Sequence, residues 1–192
     1  MALCGLSLSP PISMPLFTLP NFLSISRVLL AGLMFWSVFV SAWTIAVTVL
    51  WIAIFTDILD GYLARANNTV SPFGGLLDHG SDAVFVTCSI AALTFHGWAP
   101  ALLPLIIPVA FIQYMLDSKS LSGQPLRTSS LGRYNGIAYF VFAGFPIMQL
   151  ALQITLIPFH LFIWIGWGLV VTSLISMIDR LVTLLSNRTI DE

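Results

Sequence analysis

The chain has 192 residues, of which 58% are hydrophobic and only 8% charged, and its mean hydropathy is +0.97. Soluble domains carry about 25% charged residues, so a water-soluble globule, a disordered chain and a nucleic-acid-binding protein are excluded. The net charge of −1 singles out no charged partner.

The composition is that of an all-α integral membrane protein. Its first twenty residues hold no charge, four prolines (Pro10, Pro11, Pro15, Pro20) and no basic stretch, which argues against a secretory signal. Residues 1–19 are expected to be a tail that is disordered or precedes the true start, with Met14 as an alternative initiator. Beyond it, long uncharged runs must fold back on themselves. Ala83–Leu116 is uncharged for 34 residues, about 51 Å as one helix against a hydrocarbon core of about 30 Å. It is expected to turn at His96-Gly97-Trp98-Ala99-Pro100. Tyr134–Ile178 turns at Ile157-Pro158, and Val28–Thr56 near Ser41-Ala42-Trp43. Six transmembrane helices follow, at 22–40, 44–64, 73–96, 99–117, 134–156 and 159–184, inside one domain over 20–185, with 186–192 as a C-terminal tail.

All seven basic residues fall at one end of this arrangement: Arg27, Arg65, Lys119, Arg127, Arg133, Arg180 and Arg188. The positive-inside rule then places both termini and the two longer loops in the cytoplasm. Cys4 and Cys88 match no metal or redox spacing. Asp179-Arg180 reads as an interfacial charge pair near the end of the sixth helix.

Half of the acidic residues, Asp57, Asp60, Asp78 and Asp82, lie in one 26-residue window that also holds Arg65. Charge at mid-membrane costs about 2.5–3.5 kcal/mol per side chain on insertion scales, so such a group needs compensation. One arginine does not neutralise four acids; one or two divalent cations would. Asp57 and Asp60 are spaced i,i+3 on the second helix, and Asp78 and Asp82 i,i+4 on the third, so each pair shares a helix face. The short connection ends in Ser71-Pro72, a fitting N-cap and first helical residue. Hard oxygen ligands suit Mg²⁺, Mn²⁺ or Ca²⁺ rather than zinc. Gly61, Ala64, Gly74 and Gly75 leave room for close approach, and Arg65 is suited to phosphate oxygens. Together these residues point to a diphosphate-containing substrate and phosphoryl-type transfer.

The string Asp57-x-x-Asp60-Gly61-x-x-Ala64-Arg65-x8-Gly74-x-x-x-Asp78-x-x-x-Asp82 resembles the signature of the CDP-alcohol phosphatidyltransferases, with every fixed position filled. Pro20-Asn21-Phe22-Leu23-Ser24-Ile25-Ser26-Arg27 is similar to that family's N-terminal segment. The resemblance implies that Asp57, Asp60, Asp78 and Asp82 hold Mg²⁺ or Mn²⁺, as a pair of ions. It implies that Gly61, Ala64, Arg65 and Gly74 line the CDP-alcohol pocket, and that Asp82 is the general base. The implied reaction transfers a phosphatidyl group from CDP-diacylglycerol to an acceptor hydroxyl with release of CMP, in phospholipid synthesis. A homodimer in a bacterial inner membrane, with the active site facing the cytoplasm, is expected on the same grounds.

Leu131-Gly132-Arg133 is similar to a Gly-Lys found there in several members, so Arg133 is a candidate acceptor ligand. Arg127 is a second, Lys119 a weaker third, and all three could instead be positive-inside anchors. Arg27 either touches the site or anchors the first helix, and His79 is an outer or loop residue rather than a ligand. Members making phosphatidylglycerophosphate typically read Asp-Pro-x-x-Asp-Lys at the last two carboxylates; here the string is Asp78-His79-Gly80-Ser81-Asp82-Ala83. Chain length, the N-terminal segment and the cytoplasmic arginines favour glycerol 3-phosphate as acceptor. Inositol phosphate, serine and phosphatidylglycerol are the alternatives, and a non-catalytic divalent-cation-binding membrane protein is the reading from a different class.

Overall fold

The computed structural model describes residues 19–67, 71–117 and 130–188. Arg127, Lys119 and the N-terminal tail up to residue 18 lie outside them. The described residues are all-helical: α1 (Leu19–Phe39), α2 (Trp43–Ala66), α3 (Pro72–Phe95), α4 (Leu103–Asp117), α5 (Ser130–Ala151) and α6 (Phe159–Arg188). Four helices, α1, α2, α3 and α6, contain stretches long and apolar enough to cross a membrane. The fourth helix begins at Leu103, not near residue 99, because Ala99–Leu102 form the turn around Pro100. With 15 residues it is about 22 Å long.

The helices form a bundle in which α1 lies against both α2 and α3. From there α3 packs on α4, α4 on α6, α6 on α5, and α5 back on α2 and α3. Met34, Val38, Ala46, Phe85, Ile90, Leu93, Leu103 and Ile147 sit in the fully buried centre, each at most 1% exposed. Most remaining large apolar side chains face outward, as they do when the surrounding solvent is lipid.

Three tight turns close one end of the bundle, and all three use the same device. Each helix ends on a left-handed residue, whose N–H and that of its successor bond back to free carbonyls of the last turn. After α1 the residue is Ser41 (φ 60°), with Ser41 N–H to Val38 O at 2.9 Å and Ala42 N–H to Ser37 O at 2.8 Å. After α3 it is Gly97 (φ 75°), with bonds to Thr94 O at 2.9 Å and from Trp98 to Leu93 O at 3.0 Å. After α5 it is Gln153 (φ 56°), bonded to Leu150 O at 3.3 Å while Ile154 reaches Gln149 O at 3.0 Å. This last turn ends α5 at Ala151, five residues before the expected 156. The Gln149 side chain then spans the turn, donating to Ile157 O at 3.2 Å and accepting from Ile157 N–H at 3.3 Å. At its other end α5 starts at Ser130 rather than 134.

The opposite end of the bundle carries the five-residue connection between α2 and α3 and the twelve-residue one between α4 and α5. There Ser71 caps α3 by accepting from Gly74 N–H at 3.0 Å, with Pro72 opening the helix.

Candidate active site

The carboxylates converge because α1 packs against both α2 and α3 and the short connection 67–71 joins those two helices at this end, each turning one acidic pair toward α1. Carboxylate oxygens of Asp57, Asp60 and Asp78 lie within 4.8 Å of one another. Asp60 is buried, at 4% exposure, whereas Asp57, Asp78 and Asp82 keep 46%, 32% and 38% of their side chains accessible. A group of this kind presents hard anionic oxygens from two rigid elements with one side still open. Asp57, Asp60 and Asp78 offer the hard-oxygen donor set that divalent cations take, with Asp82 beside them.

The cation that meets the quartet is Arg27, supplied by α1. Its side chain is wholly buried, and its Nη2 lies 3.1 Å from Asp57 Oδ1 and 2.8 Å from Asp60 Oδ2. Its Nη1 lies 3.0 Å from Asp78 Oδ1 and 2.5 Å from Asp82 Oδ1. Arg27 therefore touches the site rather than merely anchoring the helix. Two serines complete the network: Ser24 of α1 donates to Asp60 Oδ2 at 3.4 Å, and Ser81 accepts from Arg27 Nη1 at 3.2 Å while donating to Asp78 O at 2.8 Å. Four carboxylates against one guanidinium leave three negative charges in the group.

Arg65 lies elsewhere. It is exposed, and its guanidinium folds back along α2, so that a Cβ on Gly61 would stand 3.4 Å from Arg65 Nη1. Among the described residues no ion pair joins Arg65 to the quartet. Gly74 is small for a packing reason, since a Cβ there would lie 3.1 Å from Ser71 Oγ and 3.2 Å from Asn21 Oδ1. Around Gly75 there is open space. His79 bonds through Nδ1 to Gly75 O at 2.9 Å, and that atom is 3.9 Å from Asp78 Oδ2.

Beside the quartet lies a cavity of about 510 Å³, bounded by α2 to α6. Asp57, His79 and Asp82 line it on the acidic side; Arg133 from α5 and Arg180 from α6 also face it. The rest of the wall is largely apolar, with Ile54, Val86, Ile107, Phe111, Ile137 and Phe140 prominent. Arg180 is the residue read above as half of an interfacial charge pair with Asp179. Instead it is 8% exposed and stacks its guanidinium over the Tyr114 ring at 4.6 Å. A sequence signal for this exists: Ser173, Ser176 and Arg180 repeat at i, i+3 and i+7, a buried polar stripe in an otherwise apolar helix.

The family model of the CDP-alcohol phosphatidyltransferases matches residues 17–181, and the chain belongs to that family. A cardiolipin synthase (CMP-forming) of Streptomyces coelicolor is 32% identical over 98 residues, 47% of this chain and 45% of that protein. The human cardiolipin synthase (CMP-forming) is 33% identical over 92 residues, covering 47% and 31% respectively. A CDP-diacylglycerol–glycerol-3-phosphate 3-phosphatidyltransferase of Salmonella typhimurium is 33% identical over 87 residues, covering 43% and 48%. The matched segments thus span less than half the length of these curated relatives. No solved structure is a significant match.

Proposed function

We propose that the protein is a multi-pass membrane enzyme of phospholipid synthesis. It transfers a phosphatidyl group from CDP-diacylglycerol to the hydroxyl of a phosphate-bearing acceptor and releases CMP. The observation that carries this reading is the juxtaposition, around one cavity, of the carboxylate group with two arginines from other helices, Arg133 and Arg180.

In this reading Asp82 accepts the proton of the acceptor hydroxyl as its oxygen attacks the lipid-bearing phosphorus, and the phosphoanhydride bond breaks toward CMP. A part-exposed carboxylate facing the cavity is placed for that role. Asp57, Asp60 and Asp78 would hold a divalent metal, as one ion or a pair; such an ion supplies charge neutralisation to a diphosphate. Gly61, Ala64, Arg65 and Gly74 would line the CDP side; the exposed Arg65 guanidinium is free to meet a phosphate there. Arg133 and Arg180 would grip the acceptor phosphate by charge-assisted hydrogen bonds.

Glycerol 3-phosphate is the acceptor we favour, because two guanidinium groups match a small phosphate monoester carrying its own hydroxyl. The second reading is phosphatidylglycerol, supported by the largely apolar cavity wall and by the cardiolipin synthases among the relatives. The clustering of Arg27, Arg65, Arg133 and Arg180 toward one end of the bundle supports a cytoplasmic site with six spans, α4 and α5 included.

The test is CMP release by the purified, detergent-solubilised protein with CDP-diacylglycerol and Mg²⁺ or Mn²⁺, with each acceptor supplied separately. Acceptor-dependent CMP release, reduced by about 10²–10⁴-fold in Asp82→Asn, is expected with glycerol 3-phosphate. Release only with phosphatidylglycerol would move the acceptor to the second reading. Failure of the protein to bind CDP-diacylglycerol at all would overturn the transferase reading.

A further inference from the structure

Arg27 is set eight residues beyond the first residue of α1, about two turns into an apolar helix, and none of its side chain reaches solvent. Its two terminal nitrogens are divided between the neighbouring helices. Nη2 takes the α2 pair, Asp57 and Asp60, and Nη1 takes the α3 pair, Asp78 and Asp82. Nε is buried with no acceptor among the described residues, so the bonds of the guanidinium are concentrated on the acidic group. A planar fork makes this division possible; a lysine ammonium is a point donor on a flexible stem.

We propose that Arg27 is a resident counter-cation of the quartet. It holds the α2 and α3 carboxylates together when no metal is bound, and its charge sets how tightly divalent cations bind there. The second half rests on the metal site proposed above; the first half does not. Without Arg27, four carboxylates would be crowded at the junction of three helices with no positive charge among them. Removing one partner of a buried ion pair is strongly destabilising, because it leaves the other uncompensated. Arg27 also bonds oxygens of the carboxylates that a metal would use, and it repels any cation arriving among them. With Arg27 in place, one dication leaves the group with one negative charge, and two leave it with one positive charge. The second state favours an anionic diphosphate, so Arg27 acts on the reaction as a positioning residue and not as a proton carrier.

The experiment compares the full-length protein in detergent with Arg27→Gln, Asp60→Asn and the double variant. Thermal unfolding is measured in EDTA, and Mn²⁺ binding is followed by the electron paramagnetic resonance signal of the free ion. Arg27→Gln should unfold about 10 °C or more below the parent in EDTA. Saturating Mn²⁺ should restore most of that loss, and its Mn²⁺ affinity should be tighter by about tenfold or more. In the Asp60→Asn background the same arginine substitution should cost clearly less, since one of the stranded charges is gone. If Arg27→Gln cannot be purified without metal, the pair sharing Asp60→Asn still reports the arginine's cost against one fewer carboxylate, and Arg27→Lys gives an intermediate stability. Equal stability of Arg27→Gln and the parent in EDTA, no relief from Asp60→Asn, or unchanged or weaker Mn²⁺ binding would each overturn the proposal. Absence of Mn²⁺ binding by the parent would sink the metal reading, and the EDTA comparison would still judge Arg27.

Discussion

The two ends of this bundle are built on opposite principles. At one end three helix pairs are closed by short turns whose stability comes from backbone hydrogen bonds, with His96 Nε2 bound to Val38 O at 2.8 Å as a tie between two of them. No Asp, Glu, Lys or Arg side chain takes part among the described residues. At the other end four carboxylates and a buried arginine are crowded together. The closed end satisfies its backbone groups mainly by local bonds of each turn, with His96 as the one long-range tie named above. The acidic end satisfies its carboxylates chiefly across helices, with Arg27 30 to 55 positions from its partners. Tight local closure at one end leaves the other free to hold charge that local structure does not neutralise. Substitutions should therefore separate: at the acidic end they act on chemistry and charge as well as stability, at the turn end on stability alone.

After Asp82→Asn, the largest expected effect in this comparison is on the arginine side of the cavity. Arg133→Gln and Arg180→Gln each remove a charged donor from the cavity wall, and a hydrogen bond to a charged group is worth about 1.5–3 kcal/mol. The KM for a phosphate-bearing acceptor should rise about 10- to 100-fold in each, with CDP-diacylglycerol binding unchanged. Kinetics with the acceptor varied, and separate binding of the cytidine lipid, distinguish this from a general loss of structure. If both constants moved together, the two arginines would not belong to an acceptor subsite. Arg180→Gln should also cost some stability, because the guanidinium stacks on Tyr114.

These expectations show what could be read from the amino-acid order and what could not. Asp57, Asp60, Asp78 and Asp82 were legible because their convergence is set by helical spacing and one short connection. Ser71-Pro72 was legible as a helix start for the same reason: the physics is local. Arg27 was half legible. A charge inside an apolar helix signals a partner, but which partner depends on how α1 lies on α2 and α3, and that is a tertiary fact. Placing the helix start at residue 22 also hid how deep Arg27 sits, since α1 begins at Leu19. Arg180 was less legible: its neighbour Asp179 suggests an interfacial pair, while the buried stripe with Ser173 and Ser176 depends on which face of α6 packs inward. The end of α5 was misplaced because the hydrophobic run continues through Ile157, and nothing in the composition marks Gln153 as left-handed.

The turn end offers the sharper contrast, since its effects should be small and confined to stability. Gly97→Ala places a side chain at φ 75°, where its Cβ would also meet Phe159 Cζ at 3.3 Å. Left-handed backbone costs a non-glycine residue about 1–2 kcal/mol. The unfolding midpoint should fall by about 2–8 °C, at about 2–4 °C per kcal/mol for a chain of this size. Acceptor-dependent CMP release per folded molecule should not change. Altered kinetics in this variant would mean that the two ends are mechanically coupled.

The smallest effect runs in the opposite direction and tests the same principle with the sign reversed. Ser41 occupies, at φ 60°, the left-handed position that glycine fills in the α3 turn. Ser41→Gly relieves that strain but enlarges the conformational freedom of the unfolded chain, which offsets part of the gain. A net stabilisation of about 0.5 kcal/mol is expected, a rise of about 1–2 °C, again with no change in catalysis. Because the serine hydroxyl has no hydrogen bond among those the turn uses, its loss should cost nothing further. A fall in the midpoint would show that the turn depends on the Ser41 side chain as well as on its backbone. The α1–α2 connection would then differ in kind from the glycine-closed turn after α3.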